Sequence, residues 1–223
     1  MPRIMHLADT NPESANIMLM GKGGCVPLSG VKYGKGSAVA NNYVGKALEL
    51  ARQRYDIARV VIAADWDLYY RGRGDNVTKF RAKNGGFQVL LNKLHHDIRK
   101  FTELGKTVFL VLNIPVGKTF FPSWRIQRDL RHFPQVFQRR EGGLTRRALD
   151  ERLGKMQAEL ERVGRLAGAR IINPVNFLCD ARYCPSADQS GRPMYKDGNH
   201  LNLYWVRDNA RFMDETVLPS RPQ

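Results

Sequence analysis

The chain of 223 residues is long enough for one domain, and its 43% hydrophobic content supplies a sizeable core and excludes a disordered tail. Its formal net charge of +15 favours polyanionic partners such as nucleic acid, anionic lipid headgroups or acidic glycans. No apolar run reaches the roughly 18 residues of a membrane span, and polar residues interrupt residues 1–20. We therefore expect a single soluble domain over residues 1–223, without a signal peptide or a transmembrane segment.

Strand-like and helix-like segments alternate along the first half of the chain. The short apolar run Ala15–Gly21 ends in glycine, which predicts a buried strand. Asn41–Tyr55 has the apolar spacing of a helix behind an asparagine, which predicts a capped helix. Ala58–Tyr70 opens with a β-branched run typical of a strand covered on both faces. Phe87–Gly105 predicts an amphipathic helix that stops at a glycine.

The second half continues the alternation. Lys106–Gly117 predicts a buried strand that stops at Pro115, because proline cannot donate a strand hydrogen bond. A long basic loop follows, up to about Gly143. The remaining predicted elements are a charged helix over Thr145–Gly168, a strand over Ala169–Asp180 and a helix from Leu201.

This order of elements predicts an α/β fold, a three-layer sandwich with a mainly parallel sheet. In such sheets, ligands bind where the strands reach their carboxyl ends. Residues of functional interest follow the predicted strands, and we expect them to converge on one edge. They are Gly23, Gly24, Asp65, Trp66, Asn113, Asp197 and His200.

Asp197 and His200 lie three positions apart, just before the last predicted helix. A carboxylate that binds one imidazole nitrogen leaves the other free to take a proton from a hydroxyl nucleophile. The pair is therefore a candidate for the acid–base part of a hydrolytic triad. From the spacing alone, the alternative is a helix-capping aspartate beside an exposed histidine.

Three cysteines are present, Cys25, Cys179 and Cys184. The last two, with four residues between them, are either a short-loop disulfide, which needs an oxidising compartment, or two ordinary thiols. No second cysteine pair or histidine cluster supplies further ligands, so we expect no metal site.

Three motifs occur in a fixed order along the chain. They are Gly-Gly-Cys-x-Pro at Gly23, Gly24, Cys25 and Pro27, Trp-x-x-Tyr at Trp66 and Tyr69, and Tyr-x-Asp-x-x-His-Leu-Asn at Tyr195, Asp197, His200, Leu201 and Asn202. In this order, and with the paired cysteines before the last motif, the chain resembles the SGNH domain at the C-terminus of membrane acyltransferase-3 proteins. Those proteins are bacterial enzymes that O-acetylate cell-surface glycans.

The resemblance covers essentially the whole chain and implies a flavodoxin-like SGNH-hydrolase fold. It makes His200 the general base, Asp197 the acid that orients it, and Gly24 a backbone oxyanion donor, an effect of ~3–4 kcal/mol in acyl transfer. Trp66 stands about where a more typical SGNH hydrolase carries an asparagine oxyanion donor. Two interpretations of Trp66 remain open, a wall of the site and a side chain of the core. Asn113 is a further candidate polar group. No metal or organic cofactor is implied.

The serine motif of that family, Gly-Asp-Ser-His, does not occur in the chain. By the resemblance it would precede Gly23 by a few dozen residues, across a helix from Pro2 to about Thr10 and the strand after it. We therefore expect the chain to begin downstream of the serine, to lack the first strand of the sheet, and to be inactive alone. Ser29 is a substitute nucleophile that the geometry has to test.

The sequence thus predicts the C-terminal portion of an SGNH-type O-acyltransferase or esterase domain. In the complete protein, an upstream membrane acyltransferase domain would deliver the acyl donor at the periplasmic face of the bacterial inner membrane. The acceptor would be a hydroxyl of a cell-surface polysaccharide or lipopolysaccharide. The competing hypotheses are a catalytically dead glycan-binding remnant and a basic nucleic-acid-associated protein. No zinc-finger spacing, aromatic RNA-binding signature or basic heptad supports specific nucleic-acid binding.

Overall fold

The computed structural model describes residues 2–21, 25–31, 38–71, 85–128, 136–138 and 142–219. Its α-helices are α1 Pro2–Thr10, α2 Ala38–Gln53, α3 Trp66–Arg71, α4 Gly86–Glu103, α5 Pro122–Arg125, α6 Arg146–Leu149, α7 Lys155–Leu166, α8 Val175–Leu178 and α9 Leu203–Asn209. Its strands are β1 Arg59–Ala63, β2 Thr107–Val111, β3 Ile126–Arg128, β4 Val136–Gln138, β5 Gly143–Thr145, β6 Arg170–Ile172 and β7 Tyr183–Pro185. Short 3-10 helices cover Lys118–Phe120 and Arg211–Thr216, and a π-helical turn covers Asp150–Gly154.

The chain divides into two compact units, each built from separated stretches of sequence. The first unit comprises Met1–Ile17, Ile114–Arg152 and Asn173–Gln223. The second unit comprises Met18–Asn113 and Leu153–Ile172. Within the described ranges, no helix combines the length and apolar character that crossing a bilayer requires.

The second unit is built on a parallel sheet with the strand order β1-β2-β6. The central strand β2 is buried over its last four residues, because a strand flanked on both sides and covered by helices has no solvent-facing side chain. Val61 of β1 pairs in register with Phe109, and Leu110 pairs with Ile171 of β6. The sheet and its helices confirm the predicted α/β fold with a mainly parallel sheet.

Two amphipathic helices, α4 and α7, pack against this sheet and against each other. The apolar stripe of α4 recurs at helical spacing, as expected of a helix with one buried face. Its buried members are Phe87, Leu90, Leu91, Leu94, Ile98 and Phe101. Gly164 of α7 approaches the sheet so closely that an added Cβ would lie 2.7 Å from side-chain atoms of Leu110 and Ile171. The missing side chain at Gly164 therefore sets how closely α7 packs on the sheet.

The first unit combines two short antiparallel strand pairs with helices. β3 pairs with β4, and β5 pairs with β7. Helix α1 packs on α9 and on the 3-10 helix Arg211–Thr216. Arg3 makes a two-point ion pair with Asp214, with nitrogen–oxygen distances of 2.8 and 2.7 Å. This contact ties the start of the described chain to its end.

One strand prediction is wrong, and a second extends too far. Ala15–Gly21 forms no strand, and its Met18, Leu19 and Met20 side chains are exposed. None of the described strands pairs with this run. An apolar run indicates only a tendency to be buried, whereas a strand also needs a neighbouring strand to bind its backbone N–H and C=O groups. The predicted strand Ala169–Asp180 is confined to β6.

The end of β6 has a local cause. The side chain of Asn173 accepts the backbone N–H of Val175 at 3.1 Å, and Pro174 supplies the fixed φ that suits a helix start. The chain therefore turns into α8 instead of continuing as a strand. The predicted long basic loop also differs from the structure, since it contains α5 and the short strand pair β3–β4.

Candidate active site

The Asp197–His200 segment forms a closed turn in the first unit. The carboxylate of Asp197 accepts the backbone N–H groups of Asn199 and His200 at 3.0 and 2.9 Å. Lys196 donates its backbone N–H to the carbonyl of His200 at 2.9 Å. Tyr195 and Leu201 form an antiparallel bridge that closes the base of the turn. The turn is therefore ordered by the same carboxylate that the sequence analysis selects as the acid.

That carboxylate also binds the imidazole ring of His200. Both carboxylate oxygens of Asp197 lie 3.0 Å from Nδ1 of His200. Partial burial acts to raise the pKa of the Asp197 carboxyl, but hydrogen bonds from the Asn199 N–H, the His200 ring and the His200 N–H outweigh it and lower that pKa. An ionised carboxylate can only accept, so Nδ1 donates in this contact, and the neutral form of the ring then has its electron pair on Nε2.

The ring of His200 is accessible to a reactant. Its side chain is 68% exposed, against 30% for Asp197. A histidine that is fixed through Nδ1 and open at Nε2 has the geometry of a general base for a hydroxyl group. The alternative reading as a helix-capping aspartate is not what is observed, because Asn202 caps α9 by accepting the Tyr204 N–H at 3.0 Å.

The segment Gly117–Phe121 supports the turn. Gly117 donates its backbone N–H to the carbonyl of Gly198 at 2.8 Å. An added Cβ on Gly198 would overlap the ring of Phe121 and lie 2.8 Å from the carbonyl oxygen of Gly117. Phe120 packs its ring 4.5 Å from the ring of Tyr195. Gly198, the first of the two residues between the acid and the histidine, has no room for a side chain, a requirement that the sequence analysis missed.

Tyr195, the first residue of the last motif, is fully buried. Burial raises the pKa of its hydroxyl, so the group stays neutral. Its ring packs on Phe120, and its backbone belongs to the bridge below the Asp197–His200 turn. These contacts place Tyr195 in the support of the turn.

In the second unit, Trp66 and Asn113 lie at the ends of β1 and β2. The indole of Trp66 is fully buried and donates its N–H to the carbonyl of Val111 at 2.9 Å. Asn113 accepts the backbone N–H of Asp67 at 3.2 Å and donates to the carboxylate of Asp65 at 3.1 Å. This environment matches the interpretation of Trp66 as a core side chain, and its role as a wall of the site stays a prediction.

The remaining predicted oxyanion donor, Gly24, lies outside the described residues together with Gly23. The predicted convergence of Gly24, Trp66 and Asn113 with Asp197 and His200 on one edge also stays a prediction. What the structure brings together is Asp197 with His200 in the first unit, and Trp66 and Asn113 with the carboxyl end of β2 in the second.

Residues 6–214 match the family model described as the SGNH domain fused to AT3 domains. The chain belongs to this SGNH domain family. Among solved structures, the SGNH domain is similar to the periplasmic domain of a lipopolysaccharide acetyltransferase from Salmonella ser. Paratyphi A, with a TM-score of 0.66 and 12% sequence identity. That alignment covers 96% of this chain and 77% of the Salmonella domain, and at this identity it shows a shared fold. No curated protein sequence matches the chain.

Ser29 of this SGNH domain is engaged elsewhere. Its hydroxyl donates to one oxygen of Asp97 at 2.6 Å, and its backbone N–H donates to the other oxygen at 2.6 Å. Asp97 is fully buried on α4, and Val26 and Leu28 beside Ser29 are buried as well. These two hydrogen bonds anchor residues 25–31 on α4. The Ser29 hydroxyl donates its hydrogen to a carboxylate, so no histidine acts as its base in this contact. Sequence reasoning missed the Ser29–Asp97 pair, since 68 positions separate the two residues.

The paired cysteines of the SGNH domain form a disulfide, with their Cα atoms 4.1 Å apart. Between them, Asp180 accepts the backbone N–H groups of Arg182 and Tyr183, both at 2.7 Å. These two hydrogen bonds lower the pKa of the Asp180 carboxyl. The bridge closes the turn that leads into β7. Over the described part of the chain, no group of three or more histidine, cysteine or acidic side chains is placed to hold a metal ion.

Proposed function

We propose that this chain provides the acid–base part of an SGNH-type site that moves acetyl groups to or from hydroxyls of a cell-surface polysaccharide or lipopolysaccharide. The observation that carries the proposal is the contact of Asp197 with Nδ1 of His200, on a ring that stays exposed. Family membership over residues 6–214 supports the reaction class. The fold likeness to the periplasmic domain of a lipopolysaccharide acetyltransferase is the basis for the substrate class.

The proposed reaction has two half-reactions. Nε2 of His200 takes the proton of a serine hydroxyl while the serine oxygen attacks the acetyl carbonyl. Asp197 remains ionised and stabilises the imidazolium that forms. The backbone N–H of Gly24 would donate to the oxyanion of the tetrahedral intermediate. His200 then protonates the leaving oxygen, which departs and leaves an acetyl-serine.

The second half-reaction uses the same groups in reverse. A sugar hydroxyl loses its proton to Nε2 of His200 and attacks the acetyl-serine carbonyl. The tetrahedral intermediate collapses, the acetyl group stays on the sugar oxygen, and the serine oxygen takes back the proton from His200. Water in place of the sugar gives hydrolysis, so access of water to His200 decides between transferase and esterase activity.

The 223 residues contain no Gly-Asp-Ser-His motif, and the Ser29 hydroxyl donates to Asp97, so we propose that the complete enzyme supplies the serine of this scheme from another part of its sequence. We therefore expect the chain alone to have no esterase activity. In the complete enzyme, a membrane acyltransferase domain would deliver the acetyl group at the periplasmic face of the bacterial inner membrane.

Hydrolysis of p-nitrophenyl acetate tests the first part of the proposal. We expect the chain and its His200→Ala variant to give the same rate, because neither contains the nucleophile. His96→Ala is the matched control, since His96 is an exposed histidine on α4. Turnover by the chain that disappears in His200→Ala and survives in His96→Ala would contradict the expected inactivity.

O-acetylation by the complete protein, with its serine motif present, tests the chemistry. We expect His200→Ala to lower the rate by about 10⁴-fold, the scale on which triad members act, and His96→Ala to leave it unchanged. Acetylation that survives in a folded His200→Ala protein would contradict the proposal and favour a glycan-binding remnant. A tight DNA shift at ~0.15 M salt would favour the nucleic-acid hypothesis instead.

A further inference from the structure

Two neighbouring phenylalanines in the segment Gly117–Phe121, which supports the Asp197–His200 turn, differ in burial. Phe120 is fully buried and packs on Tyr195, with an angle of 36° between the ring planes. Phe121, the next residue, is 41% exposed. The 3-10 helix Lys118–Phe120 ends between them, and Phe121 has an extended backbone conformation. Phe120 thus anchors the segment and leaves the ring of Phe121 at the surface.

The exposed ring is held against Gly198, the residue that follows Asp197. An added Cβ on Gly198 would overlap two carbons of the Phe121 ring, so the ring rests directly on the glycine backbone. The hydrogen bond from the Gly117 N–H to the Gly198 carbonyl fixes the same approach. Phe121 therefore packs on the Asp197–His200 turn at Gly198, and only a side chain as small as glycine's at position 198 permits this contact.

The segments on either side of this contact also carry charged side chains. Lys118, three residues before Phe121, and Lys196, two residues before Gly198, are exposed. A pyranose has the complementary pattern, with C–H bonds on its faces and hydroxyl groups around its rim. The C–H hydrogens carry partial positive charge and are attracted to the negative face of an aromatic ring. Lysine ammonium groups can donate hydrogen bonds to the hydroxyls.

We propose that Phe121 forms a sugar subsite, on which the pyranose that carries the reacting hydroxyl or O-acetyl group stacks beside His200. This inference rests on the proposed function, because it assigns the sugar substrate of that same histidine. Stacking would orient the sugar ring so that its reacting oxygen faces Nε2. Phe121 is then a substrate-binding residue that sets specificity for a ring with an apolar face.

Binding of glycan to the chain itself tests the subsite without requiring turnover. The probes are an O-antigen polysaccharide, the same polysaccharide after alkaline de-O-acetylation, and methyl pyranosides of glucose, galactose and rhamnose. Saturation-transfer NMR should show contacts from the pyranose C–H protons, and calorimetric titration should give the Kd. We expect Phe121→Ala to weaken binding about tenfold or more, and Phe121→Trp to retain it.

Two controls separate the subsite from folding and from the chemistry. Phe177→Ala removes a phenylalanine of similar exposure, 43%, that packs on Phe212 of the same unit, and should leave Kd unchanged. His200→Ala should also retain binding, because the subsite is formed by Phe121. Equal Kd values for folded Phe121→Ala and the unaltered chain, or no pyranose binding by the unaltered chain, would overturn the subsite. Loss of binding in Phe121→Ala alongside undiminished O-acetylation by the complete His200→Ala protein would support the subsite and overturn the proposed chemistry.

Discussion

Two carboxylates of this SGNH domain, Asp97 in the second unit and Asp197 in the first, bind a partner residue in the same pattern. Each accepts one backbone N–H and one side-chain donor of that partner, Ser29 for Asp97 and His200 for Asp197. A hydroxyl has one hydrogen to donate, and Ser29 uses it in the hydrogen bond to Asp97. An imidazole has two nitrogens, and the contact with Asp197 uses only Nδ1.

Burial separates the two pairs further. Asp97 is fully buried, whereas the side chain of His200 is 68% exposed. A pair built on a buried carboxylate stabilises a fold, because breaking it leaves a buried polar group without its partner. An exposed pair with one nitrogen to spare adds little stability but can exchange a proton with a reactant. The pattern of hydrogen bonds alone therefore does not reveal function; the unused group and its exposure do.

Removal of the buried carboxylate should have the largest effect. We expect Asp97→Ala to lower the free energy of unfolding by about 3 kcal/mol, because the Ser29 hydroxyl and N–H lose a charged acceptor. Asp197→Ala should cost about 1 kcal/mol, since water can replace the acceptor in an exposed turn. Urea denaturation followed by circular dichroism measures both. A larger loss of unfolding free energy for Asp197→Ala than for Asp97→Ala would contradict the assignment of Asp97 as the structural carboxylate.

Gly198→Ala tests whether the exposed pair depends on its support. The added methyl group would overlap Phe121 and the Gly117 carbonyl, and we expect a loss of about 2 kcal/mol together with altered His200 ring signals in NMR spectra. Gly45→Ala is the matched control, because nothing lies within 4 Å of its added Cβ and Gly45 is in helix α2. That control should be neutral or stabilising by up to about 1 kcal/mol. Unchanged His200 signals in Gly198→Ala would show that the support does not position the ring.

Ser29→Ala sharpens the distinction between anchor and nucleophile. We expect a loss of about 1 kcal/mol, smaller than for Asp97→Ala, because the backbone N–H of residue 29 keeps its acceptor. O-acetylation by the complete protein should not change. A folded Ser29→Ala protein without O-acetylation activity would show that the hydroxyl takes part in the chemistry.

The smallest expected effect concerns the pKa of Asp197. Partial burial raises that pKa and hydrogen bonds lower it by more, so its folded-state value lies below the ordinary 3.8. The stability from this contact is therefore present above about pH 4 and is lost as pH falls through the folded-state pKa. His200→Ala should raise the Asp197 pKa, because it removes the ring contact, and NMR titration of the carboxyl carbon measures the change.

Asp188 is the internal reference for this titration. Its pKa is lowered chiefly by the Ser190 hydroxyl, and His200→Ala should leave it unchanged. An Asp197 pKa that does not rise in His200→Ala would mean that the backbone hydrogen bonds from Asn199 and residue 200 suffice to lower it.

The sequence predicted what local patterns encode. Helix α4 and strand β2 follow from apolar periodicity and a continuous apolar run, and both are present, although β2 ends at Val111, before the predicted stop at Pro115. Strand pairing is a non-local property, so Ala15–Gly21 was predicted as a strand from its composition although no described strand pairs with it. The end of β6 follows from Pro174 and from the hydrogen bond that the Asn173 side chain accepts from the Val175 N–H, and hydrophobicity indicates neither.

The candidate site also combines contacts that a local sequence pattern predicts with contacts that it does not. Asp197 and His200 are three positions apart, so one turn brings them together and the motif was sufficient to select them. The supports Gly117 and Phe121 come from a segment about 80 positions away, and no spacing rule relates them to Gly198. The indole contact of Trp66 with Val111 is equally non-local, at 45 positions. The motif identified Trp66, but it did not identify Val111 as the hydrogen-bond partner of the indole.

The ion pair between Arg3 and Asp214 has a consequence for synthesis of the chain. The two residues are 211 positions apart, and a ribosome adds roughly 5–20 residues per second, so α1 waits on the order of ten to forty seconds for its partner. The second unit can close once residue 172 has emerged. Ile4, which is buried in the folded chain, lacks the cover of α9 and of the 3-10 helix Arg211–Thr216 during that interval. Protection of α1 by a chaperone during translation would keep Ile4 from non-native contacts.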